Sequence, residues 1–172
     1  RGTTFKVFLP SVEGRAAASR PVRGWRALPQ GTETVLVVED EAGVRALAVH
    51  VLAGCGYTVL DAADGEEALR LARQQPGRIE LLVTDVVMPR LGGRELAAQL
   101  LARDPRLRIL YLSGYADDAE VRLGVEQGEV GFLAKPFFPS ELAHKVRQLL
   151  DRPERSDAPE PPSGKTPGQG SP

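Results

Sequence analysis

Four separated positions of the chain carry side chains that could together handle a phosphoryl group. The acids Glu39 and Asp40 follow one apolar run, and Asp85 ends another. A hydroxyl at Ser113 and an amine at Lys135 each follow a later apolar run. Crowded carboxylates repel one another unless a cation neutralises them, and hard oxygen ligands suit Mg²⁺. A carboxylate in such a site can attack phosphorus, while the lysine and the hydroxyl stabilise the developing charge.

The elements that must position these side chains alternate in type over residues 34–150. Short runs rich in Val and Leu predict buried strands, and apolar residues at three- and four-residue spacing predict helices. The predicted strands are 34–38, 57–60, 81–85, 107–112 and 131–134. Asp64 is predicted to cap the second helix, and the last helix is predicted to open at Ser140. The apolar positions are Val44, Leu47, Ala48, Val51 and Leu52 in the first helix and Val121, Leu123 and Val125 in the fourth.

This alternation predicts an α/β fold with a doubly wound, five-stranded parallel sheet and five helices distributed over both faces. In the flavodoxin-like strand order 2-1-3-4-5, the order reverses between the first and third strands. Ligands bind at the carboxyl ends of the strands at such a point. We therefore expect Glu39, Asp40 and Asp85 to lie together there.

Charge and composition argue against several functional classes. Residues 32–151 carry 13 basic and 19 acidic side chains, a balance that does not suit electrostatic binding of nucleic acid. No apolar run approaches the roughly 20 residues of a membrane-spanning helix, so we expect no membrane contact. The single cysteine, Cys55, excludes an internal disulfide and is expected to be a small buried residue. These features favour a cytoplasmic location.

The motifs Glu39-Asp40, Asp85-x-x-Met88-Pro89-x-x-Gly92-Gly93, Ser113-Gly114 and Lys135-Pro136-Phe137 resemble the receiver domain of two-component signalling proteins. The resemblance covers about residues 34–150, and the motifs agree in order and spacing. It implies that Asp85 is the phosphoacceptor, which takes a phosphoryl group from a phosphohistidine. Glu39 stands where many members have Asp, and Ser113 where many have Thr. Both substitutions keep the chemistry.

The same resemblance implies Mg²⁺ as the cofactor and gives the remaining site residues their roles. The metal ligands would be Asp40, Asp85 and the Val87 carbonyl, with Glu39 acting through water. Ser113, Lys135 and Phe132 would form the catalytic and switch set. Val87 and Tyr115 would tune the phosphoryl lifetime. Because Val87 has no side-chain group to position a water, we expect slow self-hydrolysis.

Residues 1–10 resemble the last strand of the ATP-binding domain of sensor histidine kinases. The predicted organisation is a remnant strand at 1–12, a flexible linker at 13–31, a receiver at 32–151 and a disordered tail at 152–172. This order implies the C-terminal receiver of a hybrid sensor histidine kinase, a transferase that can itself be membrane-anchored. The expected partner is the phosphohistidine domain of the parent chain or a histidine phosphotransfer protein. A weak homodimer is also compatible with the sequence.

Other functions were compared with this one. A stand-alone response regulator that acts through protein contacts is the main alternative. A dinucleotide-binding domain needs Gly-x-Gly-x-x-Gly after the first strand, where this chain has Glu39-Asp40-Glu41. A flavodoxin-like module needs a phosphate loop at that place, and a haloacid-dehalogenase-type phosphatase needs an acid at Val87. The only catalysis expected of the receiver is its own phosphorylation and dephosphorylation.

Overall fold

The computed structural model describes residues 28–75, 77–114 and 130–152 of the chain. Five strands and four helices lie in this part. The strands are β1 (Thr34–Val38), β2 (Thr58–Ala62), β3 (Leu81–Asp85), β4 (Arg108–Ser113) and β5 (Val130–Ala134). The helices are α1 (Ala42–Gly54), α2 (Gly65–Gln74), α3 (Gly93–Leu101) and α4 (Pro139–Leu150). None of these four helices has the length and apolar character that a membrane crossing requires.

The five strands form one parallel sheet in the order β2-β1-β3-β4-β5, which confirms the predicted fold class. Val38 at the end of β1 pairs with Thr84 of β3, so the residues that follow them reach the same edge of the sheet. Asp85 is in register with Leu112, and Ser113 with Ala134. The order reverses between β1 and β3, where a crevice is expected in a doubly wound sheet.

Strands alternate their side chains between two apolar layers, one on each face of the sheet. Val35 and Val37 of β1 face a layer that includes residues of α1 and α4. Leu36 and Val38 face the opposite layer, which includes residues of α2 and α3. Burying both faces of the strands fixes their register, because a one-residue slip would exchange the two layers.

Local signals in the sequence explain where the helices begin and end. Asp64 caps α2, since its Oδ1 accepts a hydrogen bond from the Glu67 N–H at 2.9 Å, as predicted. Pro139 occupies the first turn of α4, and the Glu141 carboxylate accepts from the Phe138 N–H at 2.7 Å. Helix α4 therefore starts one residue before the predicted Ser140.

Of the apolar positions in α1, Ala48, Val51 and Leu52 are fully buried, whereas Leu47 is 39% exposed. Cys55 is buried, as expected. The fourth predicted helix, the remnant strand and nearly all of the linker and tail lie outside the described residues. The domain boundaries therefore stay predictions. The last residue of the predicted linker, Gly31, is hydrogen-bonded to the domain, because its N–H donates to the Cys55 carbonyl at 3.0 Å.

Candidate functional site

Three carboxylates meet at the carboxyl edge of the sheet, beside the point where the strand order reverses. Each of Glu39, Asp40 and Asp85 offers an oxygen, and these oxygens all lie within 4.8 Å of one another. Glu39 is completely buried, Asp85 is partly buried and Asp40 is exposed. The grouping of acids expected from the strand ends is therefore present in the structure.

Lys135 lies directly after β5 and places its ammonium between two of these acids. Its Nζ is 2.5 Å from Asp85 Oδ2 and 2.6 Å from Glu39 Oε2. The backbone fixes this position, because the Lys135 N–H donates to the Ser113 carbonyl at 2.8 Å. Burial alone would lower the pKa of Lys135, but its hydrogen bonds to Asp85 and Glu39 and their charges outweigh burial and raise it. Lys135 therefore stays cationic.

The buried Glu39 experiences opposing effects. Burial raises the pKa of its carboxyl, and hydrogen bonding and charge from Lys135 oppose that rise only in part. Its Oε1 accepts from the Glu41 N–H at 3.3 Å. Its Oε2 lies 2.6 Å from Lys135 Nζ, and no other donor among the described residues reaches that oxygen. Because the same ammonium also pairs with Asp85, Glu39 Oε2 keeps capacity to accept a further hydrogen bond, for example from a water.

The donor set fits a hard divalent ion such as Mg²⁺. Mg²⁺ prefers oxygen ligands, retains several waters and binds through one or two carboxylates. Asp40 and Asp85 supply accessible carboxylates, and the incompletely satisfied Glu39 Oε2 is suited to a water bound to the ion. An added cation would also relieve the repulsion among three acids, only two of which pair with the Lys135 ammonium.

The loop after β3 is closely packed around the Asp85 backbone. The Val87 N–H donates to Asp85 Oδ1 at 3.0 Å, and the Gly93 N–H donates to the Val86 carbonyl at 3.2 Å. A Cβ on Gly93 would lie 1.9 Å from the Asp85 carbonyl oxygen, so only glycine fits there. At the end of β4, a Cβ on Gly114 would meet no atom of the described residues within 4 Å.

The other predicted site residues lie at different depths. Ser113 is buried at 3% exposure at the end of β4. Phe132 is partly buried, pairs in register with Tyr111 and packs on the α2/α3 side of the sheet. The Val87 side chain is 70% exposed and adds no polar group to the site. Tyr115 lies outside the described residues.

Sequence reasoning missed two arginines that hold the backbone around the acids. Arg45 Nη1 donates to the Glu39 carbonyl at 2.6 Å, and its Nε lies 3.6 Å from Asp61. The position of Arg45 in the first turn of α1 could have indicated the contact with Glu39, since that turn directly follows the end of β1. Arg90 pairs with Asp64 and Glu66 across the loop after β3. Nothing in the local sequence indicates that second contact.

The fold and the acid–lysine cluster define an α/β domain with a potential phosphoryl-accepting carboxylate. Residues 35–147 match the family model described as the response regulator receiver domain. The chain therefore belongs to the response regulator receiver family. This result confirms the resemblance identified from the motifs.

Curated relatives include both a kinase and a transcription regulator. The chain is 39% identical over 159 residues to sensor kinase CckA of Brucella abortus (strain 2308), covering 88% of this chain and 17% of that protein. It is 37% identical over 129 residues to the transcriptional regulatory protein CreB of Escherichia coli (strain K12), covering 75% of this chain and 56% of that protein. The chain thus spans only part of the curated relatives it matches.

Solved structures give the same family. The receiver domain from hybrid histidine kinase CckA is 38% identical with a TM-score of 0.58, over 68% of this chain and 98% of that one. Chemotaxis protein CheY4 of Vibrio cholerae is 30% identical with a TM-score of 0.62, over 69% of this chain and 99% of that one. These similarities support a phosphoacceptor role for the domain.

Proposed function

We propose that this domain accepts a phosphoryl group from a phosphohistidine onto Asp85 in a Mg²⁺-dependent reaction. The observation that carries the proposal is the position of Asp85. It lies within 4.8 Å of two other acids and 2.5 Å from the Lys135 ammonium. A carboxylate with this set of neighbours can attack phosphorus while the surrounding charge is balanced.

In the proposed transfer, an oxygen of Asp85 forms a bond to phosphorus and the bond between phosphorus and the donor imidazole nitrogen breaks. The electron pair of that bond stays on the ring nitrogen. Mg²⁺, held by Asp40, Asp85 and the Val87 carbonyl, and by Glu39 through water, would neutralise charge on the phosphoryl oxygens. Lys135 would supply a second positive charge, and glycine at position 114 adds no side chain that could obstruct the phosphoryl oxygens.

The proposed output is a switch that couples the phosphoryl group to the sheet surface. Ser113 would donate its hydroxyl hydrogen to a phosphoryl oxygen, and Phe132 would reorient in response. Support comes from their positions, since Ser113 ends β4 and Phe132 lies on the neighbouring β5. Val87 carries no group that could direct a hydrolytic water, so the phosphoryl group is expected to be long-lived. Tyr115 would complete the tuning of that lifetime.

Acetyl phosphate with Mg²⁺ tests the proposed acceptor, with intact mass as the readout. The native chain is expected to gain the mass of one phosphoryl group, and Asp85→Asn to gain none. Asp151→Asn is a matched control, because Asp151 is an exposed carboxylate at the end of α4 that lies outside the acid cluster. Equal labelling of native protein and Asp85→Asn would refute the assignment.

The proposed setting is the cytoplasmic, C-terminal receiver of a hybrid sensor histidine kinase. The similarity to sensor kinase CckA over 88% of this chain supports this setting. The donor would be the parent kinase or a histidine phosphotransfer protein, and a weak homodimer stays a prediction. The similarity to CreB supports the second candidate, a response regulator. The coding sequence upstream decides between them, since an adjoining ATP-binding domain would exclude the stand-alone regulator.

A further inference from the structure

A single exposed arginine links the loop after the phosphoacceptor strand to the start of helix α2. Arg90 pairs with the Asp64 carboxylate and places Nη1 3.7 Å from Glu66 Oε2. Arg90 itself has a backbone φ of +68°. Residues with a Cβ rarely adopt this left-handed conformation, and they persist there when their surroundings hold them. The two ion pairs are such a restraint.

Asp64 connects Arg90 to a rigid element. One of its oxygens caps α2 through the Glu67 N–H at 2.9 Å, and the other accepts from Arg90. That cap, together with the Arg90 guanidinium, holds the pKa of Asp64 below its ordinary value despite some desolvation. Asp64 therefore stays ionised near neutral pH and can pair with Arg90 there. Packing reinforces the link, since a Cβ on Gly65 would lie 2.8 Å from Leu91 atoms.

The loop is thus restrained at two points. At its base, the Gly93 N–H bonds to the Val86 carbonyl. Near its tip, Arg90 binds the first turn of α2. Val87 lies between these restraints, and its N–H bonds to Asp85 Oδ1. The backbone that carries the Val87 carbonyl therefore lies between two restrained points of the loop.

We propose that Arg90 is a positioning residue for the metal site, which orients the Val87 carbonyl by tying the loop to the capped end of α2. This inference rests on the proposed function, because it concerns the same Mg²⁺-dependent site. In this role Arg90 would act through the loop backbone and would not itself be a ligand of the ion. Its contribution resembles that of an outer-shell residue, which holds a ligand in the orientation that the metal needs.

The test uses Arg90→Gly in the full 172-residue chain. Glycine tolerates a positive φ, so this substitution removes the ion pairs and relieves backbone strain together. We expect the unfolding midpoint in EDTA to change little, because the two effects oppose each other. The Mg²⁺ dissociation constant, measured by titration calorimetry, is expected to rise about tenfold. Hydrogen exchange of the backbone amides of Val87, Met88, Arg90 and Leu91 in EDTA is expected to accelerate.

Two further variants make the result specific. Asp64→Asn keeps an oxygen that can cap α2 but loses the charge, so it should reproduce the weaker Mg²⁺ binding. Arg70→Gln is the control, because Arg70 is an exposed arginine of α2 that pairs with Glu67 and not with the loop. It removes the same charge from the same region and should leave the dissociation constant unchanged.

The outcomes separate this inference from the proposed function. A native chain that binds Mg²⁺ and is phosphorylated, with Arg90→Gly matching it in affinity, overturns the role of Arg90 alone. A native chain that takes up no phosphoryl group refutes the proposed function and this role with it. Weaker binding in Arg90→Gly that appears equally in Arg70→Gln would show a general charge effect and would also overturn the positioning role.

Discussion

At the scale of single residues, the site places three carboxylates beside one ammonium. Glu39 and Asp85 share one ammonium, since Lys135 Nζ lies 2.6 Å from the first and 2.5 Å from the second. Asp40 adds a third carboxylate that no described ion pair reaches. A phosphoryl group would bring further negative charge, so the proposed transfer would need both Lys135 and an additional cation.

Replacing Lys135 by methionine tests the first of these charges. Lys135→Met is expected to lower the initial rate of phosphorylation by acetyl phosphate about 100-fold, the typical cost of removing one preorganised stabilising group. Lys145→Met is the matched control, because Lys145 lies on α4 and contacts none of the three acids. A Lys135→Met rate within a factor of two of the native rate would show that the ammonium is not needed.

At the scale of secondary-structure elements, close packing between β3 and α3 positions Asp85. Gly93 opens α3 directly against the Asp85 carbonyl, with no space for a side chain. Gly43 in α1 contrasts with it, because a Cβ there would meet nothing within 4 Å. A methyl group therefore cannot be accommodated at Gly93 without a shift of the backbone, whereas Gly43 has room for one.

Alanine at these two positions should have opposite effects on the free energy of unfolding. Gly93→Ala is expected to lower it by about 3 kcal/mol, because the backbone of β3 or α3 must shift to admit the Cβ. Gly43→Ala is expected to raise it by about 0.5 kcal/mol through a better helix propensity. Urea denaturation of both variants measures this difference. Similar stabilities for the two would contradict the close approach at Gly93.

The elements were largely predictable because each signal is local. Apolar runs marked the strands, and Asp64 was recognisable as a cap from its place before an amphipathic segment. The three acids could be grouped once the strand order was inferred. The contacts of Arg45 and Arg90 were not predictable, since a long flexible side chain reaches its partner only after the chain has folded. The exposure of Leu47 could not be read from its helical spacing, because the buried face of α1 is narrower than the set of apolar positions in the sequence.

At the scale of the whole molecule, the segment before β1 is fastened to the last helix. Glu33 and Arg147 form a two-pronged pair, with distances of 2.7 Å from Nη2 to Oε1 and 3.2 Å from Nη1 to Oε2. Arg147 also donates to the Gln30 carbonyl at 3.4 Å. Glu33 and Arg147 are 114 positions apart, so their ion pair joins the two ends of the domain.

This pair predicts a pH dependence of stability. Hydrogen bonding to Arg147 lowers the pKa of Glu33 below its ordinary value of 4.5. A lowered pKa stabilises the folded state above pH 4.5, and this contribution is lost as the pH falls through the folded-state pKa. Glu33→Gln is therefore expected to cost about 1 kcal/mol at pH 7 and progressively less below pH 4.5.

Chemical denaturation at pH 7 and pH 3 measures that change. Glu95→Gln provides the control, because Glu95 is an exposed acid of α3. A cost for Glu33→Gln that stays constant between the two pH values would contradict the contribution of the ionised pair.

The most direct test of the central claim is a crystal structure of the chain grown with Mg²⁺ and beryllofluoride, a mimic of a phosphoryl group on a carboxylate. We predict beryllium bonded to an Asp85 oxygen, Mg²⁺ coordinated by Asp40, Asp85 and the Val87 carbonyl, and Lys135 in contact with a fluorine. Density for the mimic elsewhere, or an Asp85 carboxylate without it at saturating concentration, would contradict the account.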